Sequence, residues 1–360
     1  MAGDTTRLEG EARPGPDGGT GRLSGPILVW GAGAIGGTVG AFLRHAGHEV
    51  VFVDVEGEHV AAIADPARGL RIEGPIETLT VQAPAFTPDT VQGVFRTVLL
   101  CVKAHHTEGA ARALLPHLAP DGTVVSLQNG LCEEIIAGVV GRERVMGAFV
   151  NFSADWIEPG LIMYGGRGAV MLGELDGRDT PRLRALHATL TQFEPNAVTT
   201  DNIWGYLWGK LGYGAMLFAQ AAGEKGIADC LARPELLPLW RGLGGEAVAV
   251  ALAEGITPLG FNGFDPAAFA PGATEEAAAA SVAAMVAFNR PNAKTHSGVW
   301  RDLWVRHRRT EVDVQIAPIA TVGARHGIPC PHVERLVRVI HECESGARPM
   351  ADANLLEMMR

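Results

Sequence analysis

The stretch Ile27 to Gly47, ILVWGAGAIGGTVGAFLRHAG, constrains this chain more than any other. Four apolar residues lead into Gly31, Gly33 and Gly36 at G-x-G-x-x-G spacing. Ile35, Val39, Phe42 and Leu43 then recur at helical intervals until Gly47. The pattern predicts strand, tight turn and helix. In such a turn the first glycine permits the reversal, the second lets a pyrophosphate approach the backbone, and the third lets helix pack on strand. Ala34 and Ile35 open the helix, where free N–H groups and the dipole favour a phosphate. The next apolar run, Val50 to Val53, ends in Asp54, 18 positions after Gly36 and near the spacing expected for a carboxylate on the adenosine ribose. A carboxylate there suits the two ribose hydroxyls of NAD(H) and repels the 2′-phosphate of NADP(H). Val55, Glu56 and Gly57 follow it and supply no arginine. NAD(H) is therefore the expected cofactor, with NADP(H) as a possible second.

Two domains are expected at 360 residues, beyond the usual limit for one core. A net charge of −10 argues against general affinity for nucleic acid or an anionic membrane surface, so an anionic substrate would need local cations. The five cysteines are scattered, with no C-x-x-C pair, and read as reduced thiols of a cytoplasmic protein. No apolar run is expected to reach bilayer length. Residues 1–25 carry seven glycines and two prolines and read as a disordered tail.

Thr97 to Val102 is a continuous apolar run, as for a strand buried on both faces of a parallel sheet, and it delivers Lys103 to its carboxyl end. Gly122 to Leu127 is the next such strand, delivering Gln128, Asn129 and Gly130. Ligands of open parallel sheets bind outside those ends, which puts Lys103 and Asn129 beside the dinucleotide. Residues 57–64 read as a short helix and 70–86 as a hairpin insertion. From Asn202 the pattern is helical, so the expected organisation is a tail over 1–25, a dinucleotide-binding α/β domain over 26–200, an all-α domain over 201–346 and a C-terminal tail over 347–360. Trp204, Leu207, Trp208 and Leu211 form a core-facing stripe, and Lys210 lies just off it, near aromatic surface. A lysine so placed sheds its proton readily. A metal site would fall on the adjacent His105 and His106, but in a strand they would face opposite ways, so none is expected.

From Ile27 to about Gly346 the chain resembles the ketopantoate reductase (2-dehydropantoate 2-reductase) family. The resemblance rests on the glycine motif, Val102-Lys103-Ala104, Gln128-Asn129-Gly130, Trp208-x-Lys210-Leu211, and Arg309-Thr-Glu311-Val-Asp313 followed by Gly327-Ile-Pro329. It implies a Rossmann α/β domain followed by an all-helical domain that serves substrate binding and a homodimer contact. By the same resemblance Lys210 would protonate the carbonyl oxygen as nicotinamide delivers hydride, Glu311 would bond the nascent hydroxyl, and Lys103 and Asn129 would face cofactor and substrate. In the family, asparagines that bind the substrate usually follow the catalytic lysine by four and eight positions on the same helix face; here Gly214 and Phe218 stand there and are expected to border the substrate beside Lys210. The serine that grips the substrate carboxylate matches only approximately, leaving His296 and Ser297 as candidates. Family preference for NADP runs against Asp54. The expected activity is hydride transfer between nicotinamide and a 2-oxo acid or related ketone, or the reverse. Genuine 2-dehydropantoate reduction, or a non-catalytic NAD(P)H sensor, are the alternatives.

Overall fold

A computed structural model describes residue 23 and residues 25–292 and 295–359. The tail expected over 1–25 lies outside these residues except for Leu23 and Gly25, and the Leu23 N–H donates to Thr189 Oγ1 at 3.3 Å. The strands are β1 (Ile27–Trp30), β2 (Val50–Val53), β3 (Leu70–Glu73), β4 (Leu79–Val81), β5 (Ala85–Phe86), β6 (Phe95–Leu100), β7 (Leu118–Ser126), β8 (Val145–Glu158), β9 (Leu161–Glu174) and β10 (Val198–Thr199). They form one sheet in the order β4-β3-β9-β8-β7-β6-β1-β2-β5, with β10 beside β9. The run β8-β7-β6-β1-β2-β5 is parallel throughout. Its centre is apolar on both faces: Val29 and Leu99 enter one core, Leu28 and Val98 the other. That double burial is why these strands lack a polar alternation. The chain leaves β2 for the far edge and returns to β6, so the crevice outside β1 and β6 is the topological switch point.

Helices α1 (Ala34–His45), α2 (Gly57–Ala64), α3 (Thr107–Leu114), α4 (Glu133–Val140) and α5 (Pro181–Leu190) belong to the sheet domain. Helix α6 (Ile203–Ala221) leads the second domain, followed by α7 (Ile227–Leu231), α8 (Leu237–Ala253), α9 (Glu275–Asn289), α10 (Gly298–Trp304), α11 (Val312–Gln315), α12 (Ala317–Arg325), α13 (Pro331–Glu344) and α14 (Ala353–Met358). These helices share a core that includes Met216, Phe218, Trp240, Leu243, Ile319 and Leu336. The expected α/β-then-α architecture is thus what the chain adopts.

Two expectations need correction. The segment 347–360 is not a loose tail, because α14 buries Leu355 and Met358 completely against the helical core. Asn354 Nδ2 also donates to the carbonyls of Ala222 and Pro349, each at 3.0 Å. Pro234–Ala253 is, by length and composition, one helix long and apolar enough to cross a membrane, with mean hydropathy 1.3 over its window, although the sequence suggested none. Leucine, valine and alanine raise that mean around Arg241 and Glu246, and half of the window is buried inside the protein.

Candidate active site

The three motif glycines meet three different steric demands. Gly31 has φ +99°, and a Cβ there would lie 2.8 Å from the Val102 nitrogen just beyond β6. At Gly36 a Cβ would sit 2.0 Å from the Gly31 carbonyl oxygen. At Gly33 a Cβ would meet no atom within 4 Å, so the backbone there lies open. Gly33 is also the N-cap of α1 and supplies no capping side chain, which leaves the helix N–H groups available to an anion. The residues therefore fit a dinucleotide pyrophosphate. Ala34 begins the helix, while Ile35 packs part-buried on the sheet.

Asp54 stands at the end of β2. Its Oδ2 accepts from the Ala32 N–H at 2.7 Å, and its Oδ1 accepts from the Glu56 N–H at 3.0 Å. Each oxygen keeps acceptor capacity for a ribose hydroxyl. Ala32 is held from its other side by buried His59. The ring Nδ1 accepts from the Gly160 N–H at 2.9 Å and Trp156 Nε1–H at 3.3 Å, so Nε2 carries the proton and donates to the Ala32 oxygen at 2.8 Å. Asp54 and His59 together fix the loop between β1 and α1.

The second half of the site forms where the domains meet. Lys210, in the second turn of α6, donates from Nζ to Asn129 Oδ1 at 2.5 Å and to the Val150 carbonyl at 2.6 Å. Its Nζ also lies 5.1 Å from the centroid of the Phe149 ring. Part of the side chain meets solvent, but the ammonium is packed round by protein. Burial pushes its pKa down to about 8, against the opposing pull of Glu133 and then Glu311. Glu311, at the start of α11, accepts from the Ala104 N–H at 2.8 Å and lies 3.8 Å from Lys103 Nζ. Lys103 Nζ donates to Asp302 Oδ2 at 3.2 Å, and buried Asp302 also meets Arg306 at 3.3 Å and Arg308 at 2.8 Å. Lys103, Asn129, Lys210 and Glu311 thus converge on the carboxyl ends of β6 and β7.

The other candidates go elsewhere. Gly214 is half-exposed on α6, and a Cβ there would have Ile316 Cδ1 at 3.7 Å as its nearest neighbour, so this position borders open space near α11. Phe218 is only 2% exposed and packs in the helical core. The sequence placed it on the face of Lys210, but eight residues at 3.6 per turn rotate it about 80° away. Ser297 is the N-cap of α10, its Oγ accepting from the Trp300 N–H at 3.1 Å. His296 stacks on Trp300 with centroids 4.0 Å apart, and its Nε2 lies 3.4 Å from the Glu224 carbonyl oxygen. Glu224 follows the far end of α6, roughly 16 Å of helix rise beyond Lys210, so His296 is not brought to the lysine. His105 and His106 occupy a 3-10 turn rather than a strand, with rings 4.0 Å apart. The argument from opposite strand faces therefore fails. Among the described residues no group of three His, Cys, Asp or Glu side chains could hold a metal.

Sequence reasoning missed Asp302, His59 and the β8 pair Phe149 and Val150. Nothing in the spacing of Asp302 announced three cationic partners. His59 reads as an ordinary polar residue of a short helix.

A family model described as ketopantoate reductase PanE/ApbA matches residues 27–177, and one described as ketopantoate reductase PanE/ApbA C terminal matches residues 202–344. The 2-dehydropantoate 2-reductase of Archaeoglobus fulgidus is 28% identical over 321 residues, which cover 89% of this chain and 98% of that relative. The crystal structure of 2-dehydropantoate 2-reductase from Geobacter metallireducens is 26% identical with a TM-score of 0.76, over 88% of this chain and 99% of the other. A ternary structure of D-mandelate dehydrogenase with NADH and anilino(oxo)acetate shares the fold at 22% identity, with a TM-score of 0.78 over 89% of this chain and 99% of the other.

Proposed function

The chain belongs to the ketopantoate reductase family of pyridine-nucleotide-dependent oxidoreductases acting on a CHOH or C=O group, and from that premise we propose that it is an NADH-preferring reductase of a 2-oxo acid or related ketone with Lys210 as general acid. The observation that carries this reading is the Lys210 ammonium, held by Asn129 and the Val150 carbonyl beside the dinucleotide crevice. NADH would be held by the Gly31–Gly36 turn and Asp54, and when bound supplies hydride to the carbonyl carbon. Negative charge then builds on the carbonyl oxygen. The ammonium stabilises that charge and transfers a proton from Nζ to it. Asn129 and Val150 orient the donor, while Glu311 ties the Ala104 backbone to the helical domain and reaches Lys103. In the reverse sense the neutral amine takes the hydroxyl proton.

An apolar substituent on the substrate is favoured by the rings behind the lysine. Phe149 meets Phe261 at 4.7 Å and Tyr206 at 5.7 Å, and Tyr213 meets Phe261 at 5.3 Å. Such a wall gives a buried substrate hydroxyl few partners. Genuine 2-dehydropantoate reduction is the second reading, favoured by the Archaeoglobus fulgidus relative. A panel of 2-oxo acids, ketones and 2-hydroxy acids, followed by nicotinamide absorbance with each cofactor, tests both. Turnover of apolar 2-oxo acids above 2-dehydropantoate is expected. NADH binding without turnover of any compound would instead support a sensor. The helical domain is the proposed contact of a homodimer, to be checked by light scattering.

A further inference from the structure

We propose that Glu133 is a positioning carboxylate for the proton donor, a buried anion that keeps Lys210 charged in surroundings that would otherwise neutralise it. The inference rests on Lys210 being the general acid. Glu133 is the first residue of α4 and has no solvent exposure. Among the described residues neither of its carboxylate oxygens has a hydrogen-bond partner. The Ser126 hydroxyl at the end of β7 and Glu133's own backbone N–H lie nearest the carboxylate and favour its charged form. Such a group is costly, and a buried carboxylate is retained only where a charge opposes it.

The chain path puts that charge beside Lys210. Asn129, whose Oδ1 accepts from Lys210, is four residues earlier, and its carbonyl accepts from Cys132 Sγ–H at 3.4 Å, folding the turn back into α4. Cys132 and Ile136 pack in the same core as Phe149 and Leu207, which flank the lysine. The free N–H groups at the start of α4 also favour the anion. Burial pushes the Glu133 carboxyl up to about 7; its own backbone N–H and the Ser126 hydroxyl pull it back, Glu134 opposes, and Lys210 is the one cation that also lowers it. Facing Lys210 in turn are Glu133 and Glu311, the latter shared with Lys103 and His105.

The consequence is a proton held ready. With a pKa near 8 the lysine is about nine-tenths ammonium at pH 7, and a fall of one unit would leave about half. In the reducing step the Nζ–H bond breaks and its proton goes to the substrate oxygen. Where Glu133 is ionised, increasingly so above pH 7, it raises the affinity of the neutral amine for the proton it next takes from water.

The test exploits composition, because the chain has only four lysines, at 103, 210, 225 and 294. Full-length protein carrying 13Cε-lysine gives four methylene signals to titrate by NMR, with Lys210 assigned by its loss in Lys210→Arg. In Glu133→Gln the Lys210 midpoint should fall by about one pH unit, a tenfold loss of proton affinity. Glu133→Asp, which keeps the charge, should stay nearer the parent. The basic limb of kcat in the reducing direction should move with the midpoint while KM for NADH holds. An unmoved Lys210 midpoint in Glu133→Gln overturns the inference. A shifted midpoint with an unmoved kcat limb removes Lys210 from the role of acid and overturns the positioning role with it, whereas an unmoved midpoint overturns the positioning role alone. Should the variant not fold, the parent decides, since protonation of Glu133 must appear as a second inflection of the Lys210 signal near pH 7, and a single inflection overturns the proposal.

Discussion

The proposed preference for NADH turns on Asp54, whose expected contribution can be worked out from its position. A ribose 2′-phosphate placed where the carboxylate would bond the 2′-hydroxyl stands about 5 Å from it. At an effective dielectric of about 20, that repulsion is on the order of 3 kcal/mol per unit of phosphate charge before screening. Salt and solvent reduce it, because Asp54 is only half-buried. The 2′-phosphate also finds no cation next door, since Val55 is 77% exposed and Glu56 follows. Net discrimination of roughly 1.4 to 3.5 kcal/mol, tenfold to several hundredfold in favour of NADH, is expected. The same carboxylate braces the glycine loop through the Ala32 and Glu56 N–H groups. Asp54→Ala should therefore weaken both cofactors, about 1 kcal/mol for each loop hydrogen bond lost. Asp54→Asn keeps one acceptor and should lose less. Combined with Val55→Arg, either change should move preference toward NADPH. Kd values for both cofactors, read by nicotinamide fluorescence in parent and variants, decide the matter. Equal or tighter binding of NADPH by the parent refutes the reasoning.

Lys210→Ala should lower kcat by about 10² to 10⁴ with NADH affinity nearly unchanged, because a general acid acts chiefly in the transition state, and normal turnover would reduce Lys210 to a packing residue. As the pKa of Lys210 is lowered to about 8, kcat for reduction should be level below that pH and fall tenfold per unit above it, while alcohol oxidation should rise up to that pH and level off above it. A reduction rate flat to pH 10 would contradict this. Gly36→Ala should abolish cofactor binding or folding, since its Cβ would sit 2.0 Å from the Gly31 oxygen, whereas Gly33→Ala should fold with a normal Tm and lose affinity only for the dinucleotide. Gly214→Asn should be tolerated and change substrate preference; Phe218→Asn should cost about 3 to 5 kcal/mol by chemical denaturation without a specific change in substrate preference.

What could be read in advance was whatever the backbone itself demands. Gly31 and Gly36 are required by close approach of main-chain atoms, and that demand is local enough to leave a spacing in the sequence. Lys103 and Asn129 were legible for a related reason: each follows an apolar run buried on both faces, and the sheet carries such positions to one edge. The strand-to-helix change near Thr199 marked where the sheet ends. Less legible were carboxylates whose partners come from distant segments. Asp302 meets Lys103 from 199 residues away, and Glu311 meets Ala104 from 207. Neither pairing leaves a periodic trace.

The misplacement of Phe218 and the hidden role of Glu133 have a common physical origin. A helix pattern fixes which residues share a stripe, but it drifts about 40° for every four residues, so Lys210, Gly214 and Phe218 fan across a quarter turn. At one edge of that fan Lys210 faces β8, while at the other Phe218 enters the helical core. Only contact with the sheet settles where the boundary falls, and Gly214 lies on it. Glu133 reads as an acidic first-turn residue of the kind that normally faces water. Here the preceding turn, closed by Cys132 on the Asn129 carbonyl, directs it inward instead. A surface carboxylate at that position would be screened by solvent and would exert little hold on Lys210. Buried, it acts through a poorly polarisable interior, where one charge can offset the desolvation of another. The setting of Lys210 is therefore made by two segments that sequence spacing treats as unrelated, the turn after β7 and the first half of α6, and their meeting is a property of the interface between the two domains.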